Sequence, residues 1–139
     1  VGVMKIDPTW GRAPGEGTAT IPESKDPWRA VTVQQMAAAV KGDPYLMKRN
    51  YSLQVTVDFN ADGKPDVARI VNNSRQGAVI VYLGGGGAPI VAYKQNGQLL
   101  GGEEIVAAGK NRILLNVPGV NSHLLFMRGG KPQVITYGE

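Results

Sequence analysis

Oxygen-bearing side chains recur at every second residue through Asp58-Phe59-Asn60-Ala61-Asp62-Gly63-Lys64-Pro65-Asp66. Asp58, Asn60, Asp62 and Asp66 supply side-chain oxygens, and the carbonyl of Lys64 falls on the same alternation. A tight loop turns such donors toward one centre. Gly63 stands where the bend is sharpest, because glycine adopts a left-handed backbone without a Cβ penalty. Three carboxylates crowded in this way repel one another unless a cation lies among them. Calcium suits the donor set, since it takes about 6–8 oxygens at about 2.3–2.6 Å in forgiving geometry. The loop provides four side chains and one carbonyl, so water, a backbone group or a second segment must complete the shell. The competing reading is an Asx-rich turn held by side-chain to backbone hydrogen bonds, with no metal.

An EF-hand loop would place a bidentate glutamate at its twelfth position and a helix after it. Here that position is Arg69, within the extended-looking Val67-Ala68-Arg69-Ile70-Val71. The stretch DFNADGKPDVARIVNNSRQGAVIVYLGGGG, from Asp58 to Gly87, instead resembles one blade repeat of the FG-GAP/VCBS type, in which a DxNxDGxxD loop joins two β-strands and binds calcium. The resemblance implies Asp58, Asn60, Asp62, Lys64 through its carbonyl, and Asp66 as metal ligands. A propeller needs several such repeats, and no second DxNxDG occurs in the chain. A single calcium hairpin set into a different small fold is therefore expected, in preference to several chains assembling.

Other chemistry is sparse. His123 is the one histidine, with Ser122 beside it. Neighbours in a strand face opposite ways, so the two do not form a nucleophile and base. His123 reads as a hydrogen-bonded strand residue, and Glu103-Glu104 as a solvated turn. Cysteine is absent, which removes disulfides and thiolate metal sites. A metal-dependent phosphodiesterase, with the loop carboxylates and His123 activating water, is the enzymatic alternative. A calcium loop that saturates its ion with protein oxygens argues against it. Gly84 to Gly87 match neither GxGxxG nor the lysine-bearing P-loop spacing and read as a flexible hairpin turn.

The chain of 139 residues suits one domain with a real core. Its net charge is +4, yet Lys and Arg are spread evenly, with Lys48-Arg49 the adjacent pair. This pattern describes a solvated surface and does not favour a nucleic-acid partner. No apolar run approaches the roughly 18 residues of a membrane span, and no signal peptide is visible. Weak oxygen-only calcium sites fill where calcium is near millimolar, which points to the periplasm or the outside of a bacterium.

Residues 1–30 mix prolines and glycines without helical or strand period and read as an extended arm, pinned to the body by Trp10 and Trp28. Thr32 and Gln35 form a capping box, Val31 and Met36 a hydrophobic staple, and Val33, Met36, Ala37 and Val40 one apolar stripe. The run Ala37-Ala38-Ala39 suggests close packing on a sheet. Gly42 ends this helix, and Asp43-Pro44 opens a short turn through Met47.

Tyr51, Leu53, Val55, Val57 and Phe59 alternate with polar residues as a half-buried strand. Val67 to Val71 and Ala78 to Leu83 continue an antiparallel meander, the last buried on both faces. Asn96-Gly97 predicts a hairpin between Ile90–Tyr93 and Gln98–Leu100. Glu103 to Ala108 is open between helix and strand. Ile113 to Val117 is a strand, and His123–Met127 with Gln133–Tyr137 forms a closing hairpin.

The expected fold is α+β: a mainly antiparallel sheet of about six to eight strands with one covering helix and the N-terminal arm. The expected function is an exported, calcium-binding, non-enzymatic domain whose metal-stabilised hairpin supports interaction with a protein or glycan. The alternative is a subunit or inhibitor in a bacterial envelope assembly, docking through its arm.

Overall fold

A computed structural model describes residues 26–138. The expected arm therefore lies mostly outside the described residues, as does Trp10. The described part carries nine strands and two short helices: β1 Arg29–Ala30, α1 Val33–Ala39, α2 Pro44–Met47, β2 Gln54–Val57, β3 Asp66–Asn72, β4 Gln76–Tyr82, β5 Ile90–Asn96, β6 Glu104–Ala107, β7 Ile113–Val117, β8 Asn121–Arg128 and β9 Lys131–Gly138. All strand pairings between them are antiparallel. The fold is mainly antiparallel β, but the strands form two sheets where the sequence suggested one. The first runs β1-β3-β4-β5, with β2 sharing the β1 edge of β3; the second runs β6-β7-β8-β9.

The first sheet follows from its apolar pattern. β3 and β4 read as almost unbroken hydrophobic runs and are buried on both faces, as strands covered on both sides must be. Ala68, Ile70, Val79 and Val81 face the main core, which they share with Met36, Val40, Phe59, Ile105, Leu115 and Leu125. Val71, Ala78, Ile80 and Tyr82 face the other way and pack with Trp28. Trp28 is thus the anchor its size demanded. The second sheet closes the main core: Ile105, Ile113, Leu115 and Leu125 are fully buried, and the Ile105 N–H donates to the Ser52 carbonyl at 2.8 Å, tying β6 to the chain entering β2.

The helix starts as expected. The Gln35 N–H donates to Thr32 Oγ1 at 3.1 Å, and the Thr32 N–H to Gln35 Oε1 at 2.9 Å. Val31 and Met36 are both buried. The rest of the stripe is not: Val33 is 52% exposed, and Ala37, Ala38 and Ala39 all face solvent. Only Met36 and Val40 enter the core, and Met36 does so against the bend before β6, where the Gly102 N–H points at its sulfur. A helix of two turns has room for one i, i+4 pair of anchors, so the alanines pack on nothing.

The Asn96-Gly97 hairpin also does not form. β5 continues to Asn96, and Gln98 to Leu100 pair with no strand. Asn72 intercepts this segment: its side-chain oxygen accepts the Leu99 N–H at 2.7 Å, and its amide nitrogen donates to the Leu99 carbonyl at 3.3 Å. A buried side-chain amide thus satisfies the backbone that a hairpin partner would have paired, and Leu99 is drawn into the core.

At the chain's end β8 and β9 turn through Gly129 and Gly130, both at positive φ (60° and 76°), the two-residue geometry whose twist matches the strands. The pair Arg128↔Lys131 flanks the turn and is hydrogen-bonded in such a hairpin. Pro132, next along, therefore faces the outer edge of the sheet, where its missing N–H breaks no ladder bond. No described helix is long and apolar enough to cross a membrane.

Candidate metal loop and adjoining cleft

The loop between β2 and β3 is built around a buried carboxylate. Asp66 opens β3 with no exposed surface. Its Oδ2 accepts the Phe59 N–H at 2.8 Å and the Asn60 N–H at 3.4 Å, and its Oδ1 accepts the Gly84 N–H at 2.9 Å. Asp58, at the other end, accepts the N–H groups of Asp62 (3.1 Å) and Gly63 (2.8 Å). Asp62 Oδ1 holds the Lys64 N–H at 2.9 Å. The bend passes through Ala61 at φ 60° and Gly63 at φ 85°. The left-handed glycine is where the sequence required it; the left-handed alanine is an added strain held by the surrounding bonds.

These bonds aim four side chains at one point. The Asn60 side-chain oxygen lies 3.1 Å from Asp62 Oδ1, 3.2 Å from Asp66 Oδ2 and 3.3 Å from Asp58 Oδ1. Among the described residues no three acidic or histidine side chains make a metal-holding group by themselves; the amide of Asn60 is what the three aspartates share. Oxygens around one calcium ion stand about 2.8–3.4 Å apart, given its usual bond lengths and angles. The three contacts of the Asn60 amide with aspartate oxygens fall within that range. The amide can also be turned, and its nitrogen then faces the same three carboxylates. In that orientation its two hydrogens reach the surrounding carboxylates and both ends of the amide are paired. The unturned amide suits a hard cation among the oxygens, and the turned amide suits the metal-free Asx-rich turn. Lys64 is tied to the cluster by its N–H, while Asp58, Asn60, Asp62 and Asp66 converge.

Sequence reasoning missed the parts that hold this loop from outside. The glycine run after β4 does join a hairpin, but its first two residues press on the loop. A Cβ on Gly84 would lie 2.0 Å from the Pro65 carbonyl oxygen, and one on Gly85 would lie 2.7 Å from Asp62 Oδ2. From the second sheet, the Asn111 side-chain amide donates to the Asp58 carbonyl. Asn111 sits at φ 64° in the β6–β7 turn, a conformation asparagine tolerates better than most residues. Both sheets thus brace the loop.

Beside it lies a cleft of about 560 Å³ lined by Asn60, Ala61, Asn111, Phe126 and the cations Lys110, Arg112 and Arg128, among others. Three of the evenly spread cations of the sequence thus meet here in space.

The remaining polar candidates are structural. Glu103, expected in a solvated turn, is 6% exposed and accepts the Gly101 N–H at 2.6 Å. Glu104 starts β6 and pairs with Arg49. Ser122 donates to Asn116 Oδ1 at 2.9 Å, on the sheet face opposite His123. His123 stacks on Tyr93 with ring centres 4.7 Å apart. Its Nδ1 lies 2.9 Å from Thr136 Oγ1 and its Nε2 3.4 Å from the Tyr93 hydroxyl. Because Tyr93 donates to Gln95 Oε1, the consistent tautomer carries its proton on Nε2.

Burial holds His123 below the ordinary imidazole pKa of 6.5. The sign follows: between the folded value and 6.5 the unfolded chain binds more protons, so stability falls as pH drops through that window. Denaturant melts in EGTA at successive pH values should show this loss, and His123→Gln should flatten it. An unchanged pH slope in His123→Gln would refute the assignment.

No protein-family model matches the chain, and no curated protein or solved structure does.

Proposed function

We propose that the protein is an exported, non-enzymatic calcium-binding domain in which the ion locks the β2–β3 hairpin and so fixes an interaction surface. The observation that supports this reading is the convergence of three aspartate oxygens on the Asn60 side-chain amide at 3.1–3.3 Å. Asp58, Asn60, Asp62 and Asp66 would hold the ion, with the Lys64 carbonyl and water completing the shell. Calcium supplies charge neutralisation and rigidity here, and its binding energy adds to the folded state alone, because the unfolded chain does not gather these donors. An oxygen-only loop of this kind fills at the calcium levels found outside the cytoplasm.

The test is thermal. Calcium at about a hundred times its dissociation constant should stabilise the fold by about 2.7 kcal/mol, which for a domain of this size raises Tm by about 8 °C. EGTA should reverse the shift and magnesium should reproduce little of it. Asp62→Ala should abolish the shift with little effect on the metal-free protein, since Asp62 is exposed. Equal Tm in calcium and EGTA would sink the proposal.

A further inference from the structure

We infer that the cleft between the metal loop and the β8–β9 turn binds an acidic sugar chain, through the cations Lys110, Arg112 and Arg128. The inference deepens the calcium reading by naming the ligand class, and rests on it only for the part of the ligand nearest the loop. All three cations are exposed, and among the described residues no carboxylate forms a salt bridge with any of them. Arg49, by contrast, is neutralised by Glu104. Gathering three unneutralised cations around one concavity costs mutual repulsion that an anion relieves.

Its lining carries backbone strain as well: Ala61 and Asn111 are the two non-glycine residues with positive φ among the described residues. Strain of this kind persists where surrounding structure over-determines it, and it gathers at binding sites.

The lining chooses among anions. Phe126 is a half-buried aromatic ring in the lining, with the Arg128 guanidinium over one face at 5.7 Å from its centre. Asn60 and Ala61 bring the edge of the metal loop into the same cleft, and calcium accepts hydroxyl as well as carboxylate oxygen. A uronate or sulfated sugar carries all the matching parts in one unit: an anionic group for the cations, hydroxyls for the hard ion and an apolar ring face for Phe126. A nucleic acid strand would call for successive aromatic platforms, and this cleft has one at its wall besides the buried Phe59.

The experiment is calorimetric titration of the whole protein with oligogalacturonate in one arm and a sulfated oligosaccharide of similar length in the other, each in calcium and in EGTA. Neutral oligosaccharide and polyglutamate serve as controls. The expected result is binding to one or both acidic sugars that weakens at least tenfold in Arg112→Ala and in Arg128→Gln, while both variants keep the wild-type calcium shift in Tm. Binding that weakens in EGTA supports the shared ion, and binding that persists in EGTA supports the cation cleft independently of the metal. Three results would overturn the inference: no binding in either arm, wild-type affinity in both variants, or equal binding to polyglutamate.

Discussion

Gly84→Ala should melt about 10 °C below the wild type. The added methyl would stand 2.0 Å from the Pro65 carbonyl oxygen, and its obstacle is backbone, which cannot rotate away. The turn after β4 must then lift, and in lifting it loses the Gly84 N–H bond to buried Asp66. Overpacking combined with loss of a charge-assisted hydrogen bond is worth about 3 kcal/mol, and each kcal/mol moves Tm by about 3 °C in a domain of this size. Backbone strain is not the cause, because Gly84 is not among the residues at positive φ. Gly138→Ala is the control: no atom lies within 4 Å of its added carbon, and its Tm should stay within about 1 °C. A Gly84→Ala variant as stable as Gly138→Ala would show that the turn does not press on the loop.

The second large effect belongs to Asp66 itself. Asp66→Ala orphans the N–H groups of Phe59, Asn60 and Gly84 at once, the first of them in the buried interior, and empties the space of a fully buried carboxylate. Leaving such donors unpaired should cost about 4 kcal/mol, or about 12 °C in Tm, when measured in EGTA so that lost metal binding does not contribute. Asp66→Asn keeps one accepting oxygen and should fall roughly midway. Asp62→Ala, at the exposed side of the same loop, should cost little in EGTA while removing the response to calcium. The two aspartates thus separate the loop's role as a fold element from its proposed role as a cation site. Equal losses for Asp66→Ala and Asp62→Ala in EGTA would contradict that division.

Much of this architecture could be read from residue order because its causes are local. The alternation from Tyr51 to Phe59 states which face is buried, and the burial follows it residue by residue. The capping box at Thr32 and the paired glycines at the last turn are short-range chemistry, complete within four residues. The readings that failed depend on partners far along the chain. Asn96-Gly97 has the composition of a hairpin, but Asn72 reaches Leu99 first. Ala37 to Ala39 have the look of a packed helix face, but the helix is too short to offer a second row of anchors. Glu103 has the polarity of a solvated turn but is buried beside Gly101.

The candidate site divides in the same way. Its donors lie within nine residues and announce themselves. Its supports, Gly84, Gly85 and Asn111, come from two other turns. A clue to them was present in the glycine run, whose missing side chains permit close approach as readily as flexibility. Nothing in the spacing of Lys110, Arg112 and Arg128 shows that the β6–β7 turn and the end of β8 bring them to one cleft.

Pro132 has an effect beyond its own hairpin. An eight-residue border strand invites a further chain to add itself, and repeated addition leads to fibrils. With a ring in place of hydrogen one step past the last turn, any newcomer alongside Lys131–Gly138 meets a missing rung at the start of its zipper. The closing strand thereby finishes the second sheet and guards it against growth.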